Sequence, residues 1–347
     1  MRSRFAKFSV LLGVNLAALV AMVVAFELAF GNWFLPYIPP SPRMLDLAYQ
    51  YRQSLYQPAS TITYIRDIYG LRGRYEPLSA VQLVTVGGST TDQRFVTEGE
   101  TWQDVLRAKS GIAVANAGVD GMGGPSHAVV VDTWLHRIPG LHAKYYLHYI
   151  GINESHFSVQ RSERHRSRRI SFSRQFYTRS AIVHAVNRLR ASFAGPIPVN
   201  HGVMTQNEVV GSGMVPVEFD TAEVLDYIER GYKPVLRELI ELHRSHGEIP
   251  ILVSQPANPT MIKRDGKHVL VGVQQLTKLA VSLDEVNKAT GQVCAEYPGA
   301  CRFIDLANEL QFEPSDFYDL AHNTPKGARK VGEYLASKLT FIQPAQR

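Results

Sequence analysis

Cysteine is scarce, with Cys294 and Cys301 the only two in 347 residues. That excludes the disulfide framework of a small secreted scaffold. The two stand around Tyr297-Pro298-Gly299. A bridge closing a short turn and a pair of buried free thiols stay equally open, because sequence does not give their Cα separation. Repeats and low-complexity tracts do not stand out. Metal-ligand spacing is missing as well. The chain has twelve histidines, but His136, His142, His148 and His156 lack nearby cysteines or carboxylates at ligand spacing. No catalytic metal and no cofactor are expected. With 45% hydrophobic and 20% charged residues, the balance is that of an ordinary globular chain.

Charge is absent from one long stretch. Arg2, Arg4 and Lys7 precede an apolar run from Phe8 to Phe26, interrupted only by Ser9 and Asn15. About 20 such residues span a bilayer core of about 30 Å. The positive flank favours a cytoplasmic N-terminus, with the remainder periplasmic or extracellular. A cleaved signal peptide is the rival reading. Its apolar region would be shorter, and Phe26-Glu27-Leu28-Ala29-Phe30 makes a poor cleavage site. A buried helix of a soluble protein is the third reading, and the flank and terminal position argue against it. Residues 1–30 are therefore read as cytoplasmic tip and anchor. Residues 31–80 read as a stalk that docks on the domain, stiffened by Pro36, Pro39, Pro40 and Pro42.

From Val81 onward the pattern alternates. Strands are expected at Val81–Val86, Ile112–Asn116, Tyr145–Ile150, Ile251–Val253 and Arg302–Ile304. Helices are expected at Trp102–Lys109, Ser126–Arg137, Thr221–His246 and Val273–Thr290. A last helix opens at Pro325 and ends near Leu339. That alternation predicts a parallel sheet covered by helices on both faces, in a domain spanning 81–342. An insertion at about 155–215 breaks it. Between Gln160 and Ser192 lie nine arginines and one acidic residue, Glu163. It reads either as a solvated basic helix pair or as an arm for anionic glycan or anionic lipid head groups. Nucleic acid is not expected, because aromatic interleaving of the RNA-binding kind is missing.

Four polar segments follow predicted strands or open the last helix. In Val84-Thr85-Val86-Gly87-Gly88-Ser89-Thr90-Thr91 a serine sits at the carboxyl end of a strand, where open α/β folds bind ligands. Its hydroxyl needs a neighbouring base to act as a nucleophile. Asn116-Ala117-Gly118-Val119-Asp120-Gly121 offers backbone N–H groups in a glycine-rich turn. Gly151-Ile152-Asn153-Glu154 offers a side-chain amide. In Phe317-Tyr318-Asp319-Leu320-Ala321-His322-Asn323-Thr324-Pro325 an aspartate three residues before a histidine can hold its Nδ1–H and leave Nε2 to take a proton. Taken singly, each segment reads more simply as a turn or a helix cap. Ser254-Gln255-Pro256 follows the fourth strand at the same edge.

In this order the segments resemble the Ser, Gly, Asn and His blocks of the SGNH (GDSL-like) hydrolase superfamily, from about Val81 to Leu339. The resemblance implies a flavodoxin-like three-layer α/β/α sandwich on a five-stranded parallel sheet, here behind one transmembrane helix. It implies Ser89 as nucleophile with Asp319 and His322. The implied oxyanion hole is the N–H groups of Ser89 and Gly121 with the amide of Asn153. Gly88, Thr90, Glu154 and Gln255 are expected near the substrate pocket. The sequence departs from the family twice. Gly88 stands where the first block usually has Asp, and Glu154 stands where the third block usually has Asp. The Gly-Gly-Ser-Thr form behind an anchor is similar to members associated with envelope polysaccharides. The expected substrate is an O-acyl, above all O-acetyl, group on a carbohydrate. Acetyl transfer to a second hydroxyl and a non-catalytic glycan-binding role are the alternatives.

Overall fold

In the computed structural model the chain divides into two compact units, Met1–Arg43 with Arg169–Gly195, and Met44–Arg168 with Pro196–Arg347. The structure describes residues 2–34, 47–50, 61–74, 77–156, 159, 172–193, 222–258, 261–264, 267–270, 274–318 and 321–344. The proline-rich start of the stalk and most of the arginine-rich insertion lie outside these.

The chain opens with helix α1 (Arg2–Phe30), whose Val10–Phe30 stretch is long and apolar enough to cross a bilayer. An antiparallel hairpin follows, β1 (Leu47–Gln50) with β2 (Thr61–Tyr64). Strand β3 (Leu83–Gly87) runs into a single helical turn, α2 (Ser89–Asp92), and then α3 (Trp102–Ser110). Strand β4 (Val114–Gly118) leads to α4 (Gly124–Thr133), and β5 (Tyr145–Tyr149) to a tight turn over Ile152–His156. Helices α5 (Phe172–Arg179) and α6 (Ala181–Phe193) come next. Helix α7 (Ala222–Tyr227) continues through one π-helical turn, Ile228–Tyr232, into α8 (Lys233–Ser245). Strand β6 (Ile249–Val253), the hairpin of β7 (Met261–Arg264) and β8 (Lys267–Leu270), and α9 (Gln274–Ala295) follow. Strand β9 (Arg302–Ile304), α10 (Leu306–Glu309) and α11 (Pro325–Lys338) complete the order.

Five strands form one parallel sheet in the order β4-β3-β5-β6-β9. This is the flavodoxin-like order, with the first strand between its second and third. Both faces are covered, so β3 and β4 are buried throughout. The period of two sorts the side chains. Leu83, Val114, Leu147, Tyr149, Ile251 and Val253 share a core with Trp102 and Leu106 of α3 and Val331 and Leu335 of α11. Helices α4, α8 and α9 pack on the opposite face. Thr101 and Asp104 form a capping box at the start of α3. Thr324 caps α11 ahead of Pro325 and so fixes where the preceding loop ends.

The second strand lies two residues further along than the apolar run suggests. The Asn116 side chain accepts from the N–H of Gly118 and donates to the carbonyl of Thr91. Those bonds satisfy a polar residue inside the strand, so pairing continues to Gly118. Cys294 and Cys301 are bridged, with their Cα atoms 5.4 Å apart, which resolves the open choice between bridge and free thiols.

Candidate active site

Ser89 is the first residue of α2, at the carboxyl end of β3. Two glycines make that turn sterically. A Cβ on Gly87 would lie 2.1 Å from Thr91 Oγ1 and 2.8 Å from the carbonyl of Tyr149. A Cβ on Gly88 would lie 2.4 Å from Asn153 Nδ2. A side chain at position 88 would therefore have to displace the Asn153 amide, and it would also press on the Met122 carbonyl at 3.0 Å.

His322 approaches from the other end of the sequence. Its loop is closed by the bridge between Phe317 and Asn323 and by a hydrogen bond from the Tyr318 N–H to the His322 carbonyl. The Asp316 carbonyl accepts from the Thr324 N–H, which pins the loop to the start of α11. The imidazole stacks on Tyr318 with centroids 5.4 Å apart and planes 12° from parallel. Its Nε2 lies 2.7 Å from Ser89 Oγ. Asp319, expected as the third member of the triad, lies outside the described residues.

Ser89 and His322 open into a cleft lined also by Asp92, Arg94, Phe95, Asp120 and Tyr318. Arg94 Nη2 lies 3.3 Å from Asp120 Oδ2, so a cation and a carboxylate face each other at its wall. Gly121 is the next residue, exposed, with a φ of +73° that favours glycine. Asn153 Nδ2 donates to the Met122 carbonyl at 2.9 Å, which joins the Asn153 turn to the Gly121 turn.

Thr90, Glu154 and Gln255 were expected near the substrate, and all three are buried. The Thr90 carbonyl accepts from the Trp102 indole. Gln255 Oε1 accepts from the Ile152 N–H and so braces the turn that carries Asn153. Glu154 accepts from the Gly124 N–H at 2.5 Å and from the Tyr227 hydroxyl at 2.6 Å. It thereby ties the Asn153 turn to the start of α4. Burial pushes its pKa up to about 7, against the pull of the Tyr227 and Gly124 hydrogen bonds.

The floor of the site comes from residues that sequence patterns did not single out. Asp92 Oδ1 accepts from Arg66 Nη2 at 2.7 Å and from the Tyr64 hydroxyl at 2.8 Å. Arg66 also donates to the Gly118 carbonyl, and Arg72 to the carbonyl of Asp92. Both arginines are buried. They belong to residues 31–80, the stretch read as a stalk that docks on the domain. In the fold that stretch clamps the serine-bearing turn from below. Two arginines flanking Tyr69-Gly70 were the one available signal, since a solvated turn needs neither.

On the α4 and α8 face, four histidines form a second group. His127 Nδ1 lies 2.9 Å from His148 Nδ1, and His148 Nε2 lies 2.8 Å from His243 Nε2. His243 Nδ1 and His136 Nε2 both reach Glu248 Oε2, at 2.7 and 3.1 Å. The fold thus gathers ligating atoms of His136, His243 and Glu248 within 4.8 Å, although sequence spacing shows nothing of the kind. Burial works to raise the Glu248 pKa, but the two imidazole hydrogen bonds overcome it and hold the group down at about 2. Burial lowers His127 to about 3 and lowers His148 and His243 as well. With His127, His148 and His243 neutral and Glu248 ionised, the contacts set the proton on each of those three rings. His243 carries its proton on Nδ1, His148 on Nε2 and His127 on Nδ1. His127 Nε2 is left as a bare acceptor, and it has no partner among the described residues.

The sequence matches no family model and no curated protein. Solved structures with a similar course include an acetylxylan esterase from Geobacillus stearothermophilus. It shows 14% identity and a TM-score of 0.43, over 74% of this chain and 93% of that one. An α/β hydrolase from the metagenome of Lake Arreo shows 14% and 0.42, over 75% and 96%. A member of the lipolytic protein G-D-S-L family from Veillonella parvula shows 14% and 0.41, over 75% and 98%.

Proposed function

We propose that the chain is a serine ester hydrolase of the SGNH type, acting on O-acetyl groups of a carbohydrate outside the cytoplasm. The observation that carries this reading is the 2.7 Å contact between Ser89 Oγ and His322 Nε2 at the carboxyl edge of the parallel sheet. A base within hydrogen-bond reach is what a serine nucleophile needs. The apolar α1 supports placement at a membrane.

In the reaction proposed, Ser89 Oγ bonds to the acyl carbon while His322 Nε2 takes its proton. Asp319 holds the other side of the imidazole. The carbonyl electron pair moves to oxygen, and the oxyanion accepts from the N–H groups of Ser89 and Gly121 and from Asn153 Nδ2. Collapse breaks the bond to the sugar oxygen, which leaves with the proton from His322. Water then attacks the acyl-enzyme, again giving its proton to His322. Acetate departs as the Ser89 hydroxyl is restored.

Incubating the full chain in detergent with acetylated polysaccharides and measuring acetate tests this. Release by the parent, lost in Ser89→Ala, is expected. Release undiminished in Ser89→Ala contradicts the assignment. Acetylated acceptor without free acetate contradicts hydrolysis and indicates transfer.

A further inference from the structure

Helices α5 and α6 are joined to α1 by a charge. Glu27 lies three residues before the end of α1, about 4.5 Å in along the axis at 1.5 Å per residue. It is the one buried position in the otherwise exposed Val10–Phe30 stretch. Its carboxylate accepts from the Ser180 hydroxyl at 2.6 Å, the Ala181 N–H at 2.9 Å, the Ile182 N–H at 3.2 Å and the Trp33 indole at 3.0 Å. Ser180 Oγ in turn accepts from the Val183 N–H. The acid thus caps the start of α6, where free N–H groups and the helix dipole favour an anion. A carboxylate near the end of a bilayer span is costly unless it is satisfied in this way.

This clamp leaves two apolar surfaces exposed. On α6 they recur at Ile182, Val186, Leu189 and Phe193, a spacing that makes one continuous stripe. Phe193 is 82% exposed and Leu189 is 61% exposed. On α5, Phe172, Phe176 and Tyr177 are exposed, and Phe176 meets the Trp33 ring at the end of α1. The other side of α6 is polar. His184 Nε2 bonds to the Thr178 carbonyl, and Asn187 Nδ2 bonds to the Tyr177 hydroxyl. The sequence around both helices holds nine arginines against one acid. An apolar stripe with basic flanks is the pattern of a helix lying in the plane of a bilayer interface. Aromatic rings collected at one end of a spanning helix mark the same level.

We propose that α5 and α6 form an interfacial hairpin seated in the head-group layer of an anionic bilayer. The α6 stripe lies among the upper acyl chains, and the arginines meet lipid phosphates. The occupant is anionic phospholipid, chosen because the Glu27 cap ties the start of α6 to the end of α1, the segment read as the span, and because the flanking charge is basic. The inference rests on reading α1 as a membrane span and adds a second, in-plane contact to it.

Both native cysteines are bridged, so single labels can be placed. The full chain, reconstituted into phosphatidylcholine–phosphatidylglycerol nanodiscs, carries a nitroxide at Leu189→Cys, Phe193→Cys, Asn187→Cys or Val20→Cys. Power saturation then compares access by oxygen and by a water-soluble nickel chelate. The expected result is an oxygen-over-nickel ratio several-fold higher at 189 and 193 than at 187, with 20 deeper still. In pure phosphatidylcholine the 189 and 193 labels should move toward water. Nickel access at 189 and 193 equal to that at 187, with 20 still in lipid, overturns the hairpin proposal and leaves the anchor standing. Labels at 189 and 193 shielded from both reagents mean that protein covers the stripe, which also overturns it. A water-exposed label at 20 removes the anchor and the hairpin together. Depths unchanged without phosphatidylglycerol overturn the choice of an anionic lipid.

Discussion

Gly88 has a φ of −78°, so a left-handed backbone is not what demands glycine there. The demand is contact with Asn153 Nδ2. Gly88→Ala should displace that amide and, with it, one oxyanion donor. We predict turnover lower by roughly 10²- to 10³-fold with little change in KM, read from steady-state kinetics on an activated acetyl ester. An unchanged turnover would show that Asn153 is not a donor. Glu154 gives a separate prediction. Its folded pKa near 7 lies above the ordinary value of about 4.3, so the folded form holds a proton that the unfolded form has lost in between. Its contribution to stability is full below that lower value and fades as pH rises through 7. Glu154→Gln cannot lose a proton. Its stability relative to the parent should therefore improve by roughly 3 kcal/mol between pH 4.5 and 7.5 in urea unfolding. The buried histidines shift both proteins alike and cancel in the difference. A pH-independent difference would contradict the assignment.

Among the elements, α2 depends on a partner from the N-terminal stretch. Arg66 is buried against Asp92, and removing one member of such a pair leaves an uncompensated charge. Arg66→Ala should cost about 3–5 kcal/mol in urea unfolding. A cost below about 1 kcal/mol would mean that Arg66 does not hold the turn. Helices α4 and α8 and strand β5 meet through the histidine chain. Imidazole ¹⁵N spectra at pH 7 should show His127, His148 and His243 neutral, with protons on Nδ1, Nε2 and Nδ1 respectively. A different tautomer at His148 would break the chain as drawn. These two features also mark where the sequence stops being legible. Ser89 and His322 could be found because each sits at a boundary that local pattern reveals, a strand end and a proline-initiated helix. Arg66, Asp92 and the histidines have no local signature. Arg66 meets Asp92 from 26 positions away and His148 meets His243 from 95 positions away, and only the folded chain supplies such neighbours. Glu154 looked like a residue facing the substrate, because a position beside Asn153 says nothing about which way a side chain turns.

At the scale of the whole molecule, the parallel sheet does the decisive work. Its order places β3 in the interior of the sheet, so the β3 turn is flanked by the β4 and β5 turns that carry Gly121 and Asn153. The alternation of strands and helices made the sheet legible, because each strand is buried on both faces and reads as an apolar run. The strand order itself was not in the pattern and came only with the family resemblance. Residues 233 positions apart meet at one edge of that sheet, and the functional account depends on their meeting. The most direct test is to react the full chain with a fluorophosphonate and locate the adduct by mass spectrometry. The account predicts a single adduct on Ser89, abolished in Ser89→Ala and strongly slowed in His322→Ala. An unlabelled parent, or an adduct on another serine, would contradict it.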